Sequence, residues 1–248
     1  MRRARLIVGG LGLLMVTGGL VWAGTGLQHF GHVHSRYGTH LAHAAVPQRA
    51  ATNSVVAIAF DYRGFDTLGE EFILFISVVG VMVLLRAIRG DADPRKGVVQ
   101  AETRQASDSS RWLGAAIVGP LSVLAAYVIV HGQLTPGGGF QGGVVLMAAL
   151  AFVGLGGEYL LLLRLRRSAT LPELADAAGA AGFVVIGLGG LISAGVFFQN
   201  FLPKGSPGNL LSGGMIPLAN ISVGLEVAGA VLMVLSELLD QRLMGARR

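Results

Sequence analysis

Six blocks of apolar, nearly uncharged sequence dominate this chain, near Leu6–Gly26, Leu68–Ile88, Trp112–Val130, Val144–Leu163, Gly179–Phe198 and Pro217–Leu238. Each approaches the roughly 20 residues that a helix needs to cross a bilayer. Hydrocarbon offers the backbone no water to bond, so a spanning segment must satisfy its own polar groups, and a helix does. Helices buried in soluble cores are shorter and carry a polar stripe. Composition agrees: 13% of the 248 residues are charged, about half the usual share for soluble domains. The expected fold class is an all-α integral membrane protein with about six transmembrane helices, including a short extended segment in the first outer loop.

The net charge of +5 raises the question of a nucleic-acid partner, and the placement of the basic residues answers it. Of the 19 Lys and Arg, fifteen lie before the first block, between the second and third, after the fourth, or after the sixth. Only Arg36, Arg49, Arg63 and Lys204 fall in the alternate loops. Positive residues accumulate on the cytoplasmic side, so both termini are expected there and no nucleic acid is implied. The basic start, apolar run and Val21-Trp22-Ala23 also fit a cleavable signal; an uncleaved first helix is the preferred reading. With no cysteine, the chain alone builds no disulfide, thiolate site or iron–sulfur cluster.

Five of the six histidines (His29, His32, His34, His40, His43) crowd into the first outer loop. Without nearby carboxylates or thiols they make a polar loop rather than a metal site. Val55–Phe60 is short and rich in β-branched residues, which predicts an extended segment, and Asp61-Tyr62-Arg63-Gly64 predicts a turn. Thr67-x-x-Glu70 has capping-box spacing and predicts the start of the second span there. Glu70 and Glu71 would then lie at, or just inside, the outer boundary. Gly90–Ser110 is polar and turn-rich, hence a linker. Arg164–Ala177 reads as a second inner segment, in which Leu171-Pro172-Glu173 suggests a new helix with Pro in its first turn.

The stretch "HGQLTPGGGFQGG", from His131 to Gly143, puts Gly137, Gly139 and Gly142 in dinucleotide-fingerprint spacing. That fingerprint needs a short strand in a soluble βαβ unit, and the preceding apolar block is far too long. No Lys-Ser/Thr pair follows for a phosphate loop. Two readings remain. Gly138/Gly142 and Gly139/Gly143 have the small-xxx-small spacing of close helix packing, and irregular backbone at membrane depth can instead line an ion route. Two lone carboxylates, Glu158 and Glu226, lie inside later blocks, with Asn220 shortly before the second. A charge at mid-bilayer costs at least ~2.5–3.5 kcal/mol, so such residues default to function. Glu158 has nearby arginines to pair with; Glu226 either acts on an ion or is held neutral against a neighbouring helix.

At "HGQLTPGGGFQGGVVLMAAL" the chain resembles the MnhB family, a component of the multisubunit Mrp-type (Mnh) cation/proton antiporters, and the matching components of membrane-bound hydrogenases. The similarity runs from about Arg111 to Leu239 and includes "LLSGGMIPLANISVGLEVAG". Separately, "FDYRGFDTLGEEFILF" is similar to the C-terminal end of the large antiporter subunit, a segment that is an independent small subunit in the hydrogenases. The resemblance implies a fusion. Its parts would be a first helix at 1–27, a His-rich loop at 28–53, the small element with the second helix at 54–90 and a cytoplasmic linker at 91–110. A four-helix MnhB-like domain at 111–241 and a basic tail at 242–248 would follow. It also implies residence in the prokaryotic inner membrane among large complex-I-like proton-channel subunits and small membrane subunits, with Na⁺ and H⁺ as the transported ions. No cofactor, metal or enzymatic activity is implied. Candidate ion-pathway residues are Asp66, Glu70, Glu71, His131, Glu158 and Glu226. Arg63, Gly64, Phe65, Thr67, Pro136, Gly137, Gly138, Gly139, Phe140, Gly142, Gly143 and Asn220 carry the structural motifs. A hydrogenase-type complex or a purely structural scaffold remain the alternatives.

Overall fold

In the computed structural model, residues 2–26, 36–89, 107–155 and 170–245 are described, and helices account for nearly all regular structure among them. The chain divides into two compact units, Met1–Thr39 and His40–Arg248. The first unit contains α1 (Arg2–Thr25), an apolar helix. The second holds the rest of α2 (Arg36–Arg49), then α3 (Ser54–Ala57) running into a π-helical turn (Ile58–Tyr62), α4 (Gly64–Arg89), α5 (Asp108–Val130), α6 (Gly139–Leu155), α7 (Thr170–Ala194) and α8 (Ile216–Gly245). Among the described residues, five helices are long and apolar enough to cross a membrane, and Gly139–Phe152 is a shorter apolar helix. The protein is a multi-pass membrane protein. The linker up to residue 106, Glu158, His29, His32 and His34 lie outside the described residues.

No strand occurs among the described residues, so the expected extended segment at Val55–Phe60 is corrected to helix. Asn53 decides this locally: its Oδ1 accepts from the N–H groups of Val55 and Val56, a helix N-cap. Tertiary packing then overrides β-propensity, because the helical turn sets Val56 and Phe60 into the core beside Phe183 and Phe198. The His-rich loop is also partly helical, with His40 and His43 in α2. Nor is Thr67 an N-cap. α4 starts at Gly64, and Thr67, inside it, donates its hydroxyl to the Ala59 carbonyl of the π turn. The fifth apolar block needs a shift as well. α7 begins about nine residues before Gly179, with Pro172 in its first turn, and ends at Ala194, where Gly195 takes φ +75°. Proline at a helix start and left-handed glycine past its end are the expected punctuation.

α8 is the axis of the second unit. It contacts α4, α5, α6 and α7, and 61% of its apolar window is buried, against 11% for α4 and α5. It is the most buried of the spans, exposes a stripe at Leu218, Ile221 and Leu225, and is thin where it meets α7. A methyl group at Gly179 of α7 would come within 3.0 Å of the Ser222 and Glu226 backbone, and one at Gly229 of α8 within 3.0 Å of Pro172 and Asp176. Without a hydrophobic force between helices in lipid, such small residues let van der Waals contact hold the bundle. One end of the unit is closed by the α2–α3 region, the turn between α5 and α6, and the loop from Gly195 to Met215. Thr52 and Asn53 stitch the first two together: the Asn53 amide donates to the carbonyls of Gly132 (2.8 Å) and Thr135 (2.9 Å), and the Thr52 hydroxyl to Leu134 (2.6 Å).

Candidate functional site

Three carboxylates lie buried inside the bundle, within electrostatic reach of one another. Glu71 comes from α4, Asp176 from α7 and Glu226 from α8, with only 2%, 3% and 0% of each residue exposed. Glu71 lies on the inward stripe Thr67, Glu71, Leu74, Val78 of α4, the spacing of one helix face. Asp176 and Glu226 face each other through a reciprocal arrangement. Gly179, three residues after Asp176, packs on Glu226, while Gly229, three residues after Glu226, packs on Asp176. Three residues on is the same helix face, so each glycine makes room for the other helix's acid.

Among the described residues the cluster holds acidic groups and no base. Oδ1 of Asp176 is buried without a hydrogen-bond partner, and the buried oxygens of Glu71 and Glu226 have no partner but each other. The charged groups acting on Glu71 and Glu226 are each other, Asp176 and, for Glu71, Glu70. Buried charges in proteins are normally paired or neutralised. This cluster therefore needs a proton, a cation or a further donor. Among the described residues no three His, Cys, Asp or Glu side chains are placed to hold a metal ion together.

The glycine-rich turn is organised around Asn220 of α8. Gly138 and Gly137 have φ of +141° and +140°, a region that side chains rarely enter. The Gly139 N–H donates to Asn220 Oδ1 at 2.9 Å, and the Asn220 amide donates back to the Ile216 carbonyl at 3.2 Å. Gly132 and Gly138 also abut the Asn220 side chain, Gly139 and Gly143 lie on the α8 backbone, and Gly142 lies on Ile129 of α5. Phe140 packs against the core, while Pro136 is exposed. The small-xxx-small pairs thus face helices, and the turn itself wraps an asparagine. His131 stacks on Tyr127 at 4.1 Å, and its Nδ1 is buried without a partner.

The remaining candidates lie at the closed end. Asp66 and Glu70 are exposed, and Asp66 pairs with Arg63 in the next turn. Gly64 lies against the Phe198 ring, and Phe65 is exposed but meets Phe197 edge-on at 6.4 Å. Sequence reasoning misses two acids. Asp61 is buried and bonded to Arg49 (2.7 Å) and to the Asn200 amide. Burial pushes its carboxyl above the ordinary value, against the opposing pull of Asn200 and Arg49. Asp176 falls, by sequence pattern, in the inner segment before the fifth block. Pro172 is the available clue, since a helix starting there carries Asp176 on the face of Gly179 and Phe183.

Fold and site together define a class: a polytopic membrane protein with a carboxylate cluster in its interior. Residues 110–233, half of the chain, match the family described as "Domain related to MnhB subunit of Na+/H+ antiporter", and the chain belongs to that family. Residues 12–105 match MbhE, a family of MBH subunits, so a small membrane element is fused ahead of the MnhB-related part. An uncharacterised protein of Methanocaldococcus jannaschii is 29% identical over 206 residues, 76% of this chain and 75% of that protein. A Rhizobium meliloti protein, named as the A/B component of a probable K(+)/H(+) antiporter, is 31% identical over 119 residues, 41% of this chain but 12% of that one. Among solved structures, a chain of the membrane-bound sulfane sulfur reductase, an archaeal respiratory membrane complex, matches with TM-score 0.69 and 25% identity over 95% of this chain and 98% of its own. A chain of the Mrp complex from Dietzia sp. DQ12-45-1b shares the fold, with TM-score 0.62 and 22% identity over 96% of this chain and 26% of that one. The chain is a membrane subunit of the multisubunit cation/proton antiporter type.

Proposed function

We propose that this protein carries part of the ion route of a prokaryotic Na⁺/H⁺ antiporter, with Glu71, Glu226 and Asp176 as its stations, and that it does no bond chemistry itself. The observation that carries this is the cluster of buried acids with no base among the groups acting on them. Two carboxylates in contact in a low-dielectric interior do not both stay ionised; one holds a proton, or a cation takes its place. That exchange of proton for cation is the elementary step of antiport. In sequence, the basic residues concentrate between the second and third apolar blocks, after the fourth and after the sixth, alternating with the segments of the closed end, which supports an outward-facing closed end. Exposed Asp66 and Glu70 would then stand at the outer mouth.

The test is Glu226→Gln in the assembled complex, reconstituted in vesicles. Gln keeps the volume and lowers the cost of burial, so assembly is expected to be normal while sodium-dependent dissipation of a pH gradient falls at least tenfold. Normal exchange by normally assembled complex would leave Glu226 a neutral packing partner. A second reading, membership of a redox-driven complex using the same module, is favoured by the near-complete overlap with the sulfane sulfur reductase chain and by the MbhE match. The proteins that copurify in mild detergent separate the two.

A further inference from the structure

α4 carries Glu71 into the bundle, where its carboxyl meets that of Glu226, yet little packing fixes how this helix is turned. Its apolar window is 11% buried, against 61% for α8. Nor does α4 inherit its rotation from the segment before it. The π turn ends at Tyr62, Arg63 leaves helical geometry with φ −128° and ψ 33°, and α4 begins anew at Gly64. The π turn itself is fixed: Phe60 is buried in the core, and Asp61 bonds Arg49 at 2.7 Å and the Asn200 amide. Across the break, the Thr67 hydroxyl donates to the Ala59 carbonyl at 2.7 Å. Ala59 is among the last four residues of the helical segment that ends at Tyr62, where carbonyls lack partners within the helix. Thr67 is 2% exposed and lies one helical turn before Glu71 on the same inward face.

We propose that Thr67 is a positioning residue for the carboxylate cluster: its bond to Ala59 sets the rotation of α4 and so holds Glu71 against Glu226. Its effect on transport rests on the reading of those acids as ion stations. Small rotations matter here. At the roughly 5–6 Å outer radius of a helix, a turn of about 20° moves a side-chain tip by about 2 Å, well beyond the few tenths of an ångström over which a hydrogen bond holds. The hydroxyl is what the position needs, not the shape. Valine fills the same volume but brings a methyl where the donor was, whereas serine keeps the donor and loses only the methyl. Because Asp61 sits on the turn that Thr67 grips, the same bond ties the closed end of the bundle to the orientation of Glu71.

The chain has no cysteine, so Glu71→Cys with Glu226→Cys gives it a single pair of thiols. In the intact complex in its native membrane, a short bis-methanethiosulfonate reagent joins the pair, and peptide mass spectrometry reads the yield of the link. Thr67→Val is expected to lower that yield severalfold, and Thr67→Ser to keep it. In the chain with both acids in place, Thr67→Val should raise the half-saturating sodium concentration of vesicle exchange severalfold, per complex recovered, with Thr67→Ser close to wild type. An equal link yield with valine and threonine, no link at all beside Thr67, or an unchanged half-saturation in Thr67→Val while Glu226→Gln stops exchange would each overturn the proposal. Should Thr67→Val fail to assemble, Thr67→Ala, which sets no methyl against the carbonyl, is read in its place by the same yield. A lowered yield in Thr67→Val together with normal exchange by Glu226→Gln would keep the positioning role and sink the ion-station reading.

Discussion

Asn220 shows how much one buried amide can organise. Its Oδ1 receives the Gly139 N–H at the start of α6, its amide group closes on Ile216, and Gly132 and Gly138 leave room for its side chain. The first N–H groups of a helix have no partner within it, so an asparagine from another helix acts as the cap. Removing it orphans a buried donor, at about 1–3 kcal/mol. Asn220→Ala should therefore lower the thermal midpoint of the purified complex by several degrees, and Gly138→Ala should do likewise through its φ of +141°. Full stability of both variants would reduce the turn to a passive connection.

At the scale of elements, the closed end is held by an ion pair that burial opposes. Asp61 sits on the π turn between α3 and α4, takes Arg49 from α2 and Asn200 from the loop before α8, and its pKa is raised above 3.8. The raised value means that the folded state binds this proton more tightly than the unfolded chain. Stability linked to Asp61 is thus gained as pH falls through the raised pKa toward 3.8, and is missing above it. Between those limits the wild type should gain stability on acidification relative to Asp61→Asn, which cannot titrate. Thermal melts of both proteins in the same detergent across that window check this. A relative loss on acidification would mean that the Arg49 pairing outweighs desolvation.

For the whole molecule, the α7–α8 seam sets both packing and chemistry. Gly179 and Gly229 bring the two helices to backbone contact and thereby put Asp176 and Glu226 across from each other. Overpacking a tight contact costs about 1–3 kcal/mol, occasionally more. Gly179→Val is expected to reduce recovered complex severalfold; recovery and exchange equal to wild type would show that the seam has slack. The sequence by itself determined the class, because runs of about 20 apolar residues leave the backbone no choice but helix, and the glycine-rich and Arg-Gly-Phe-Asp motifs carried the family. It also marked Glu226 as costly and put Glu71 at the outer boundary as an ion-pathway candidate. Only tertiary structure decided that these two join Asp176, that Val55–Phe60 is helical and that the glycine turn closes on Asn220. Local pattern reports what a residue prefers beside its chain neighbours. Which helix faces which is set by small-residue contacts between segments far apart along the chain, and no spacing along one helix encodes its partner.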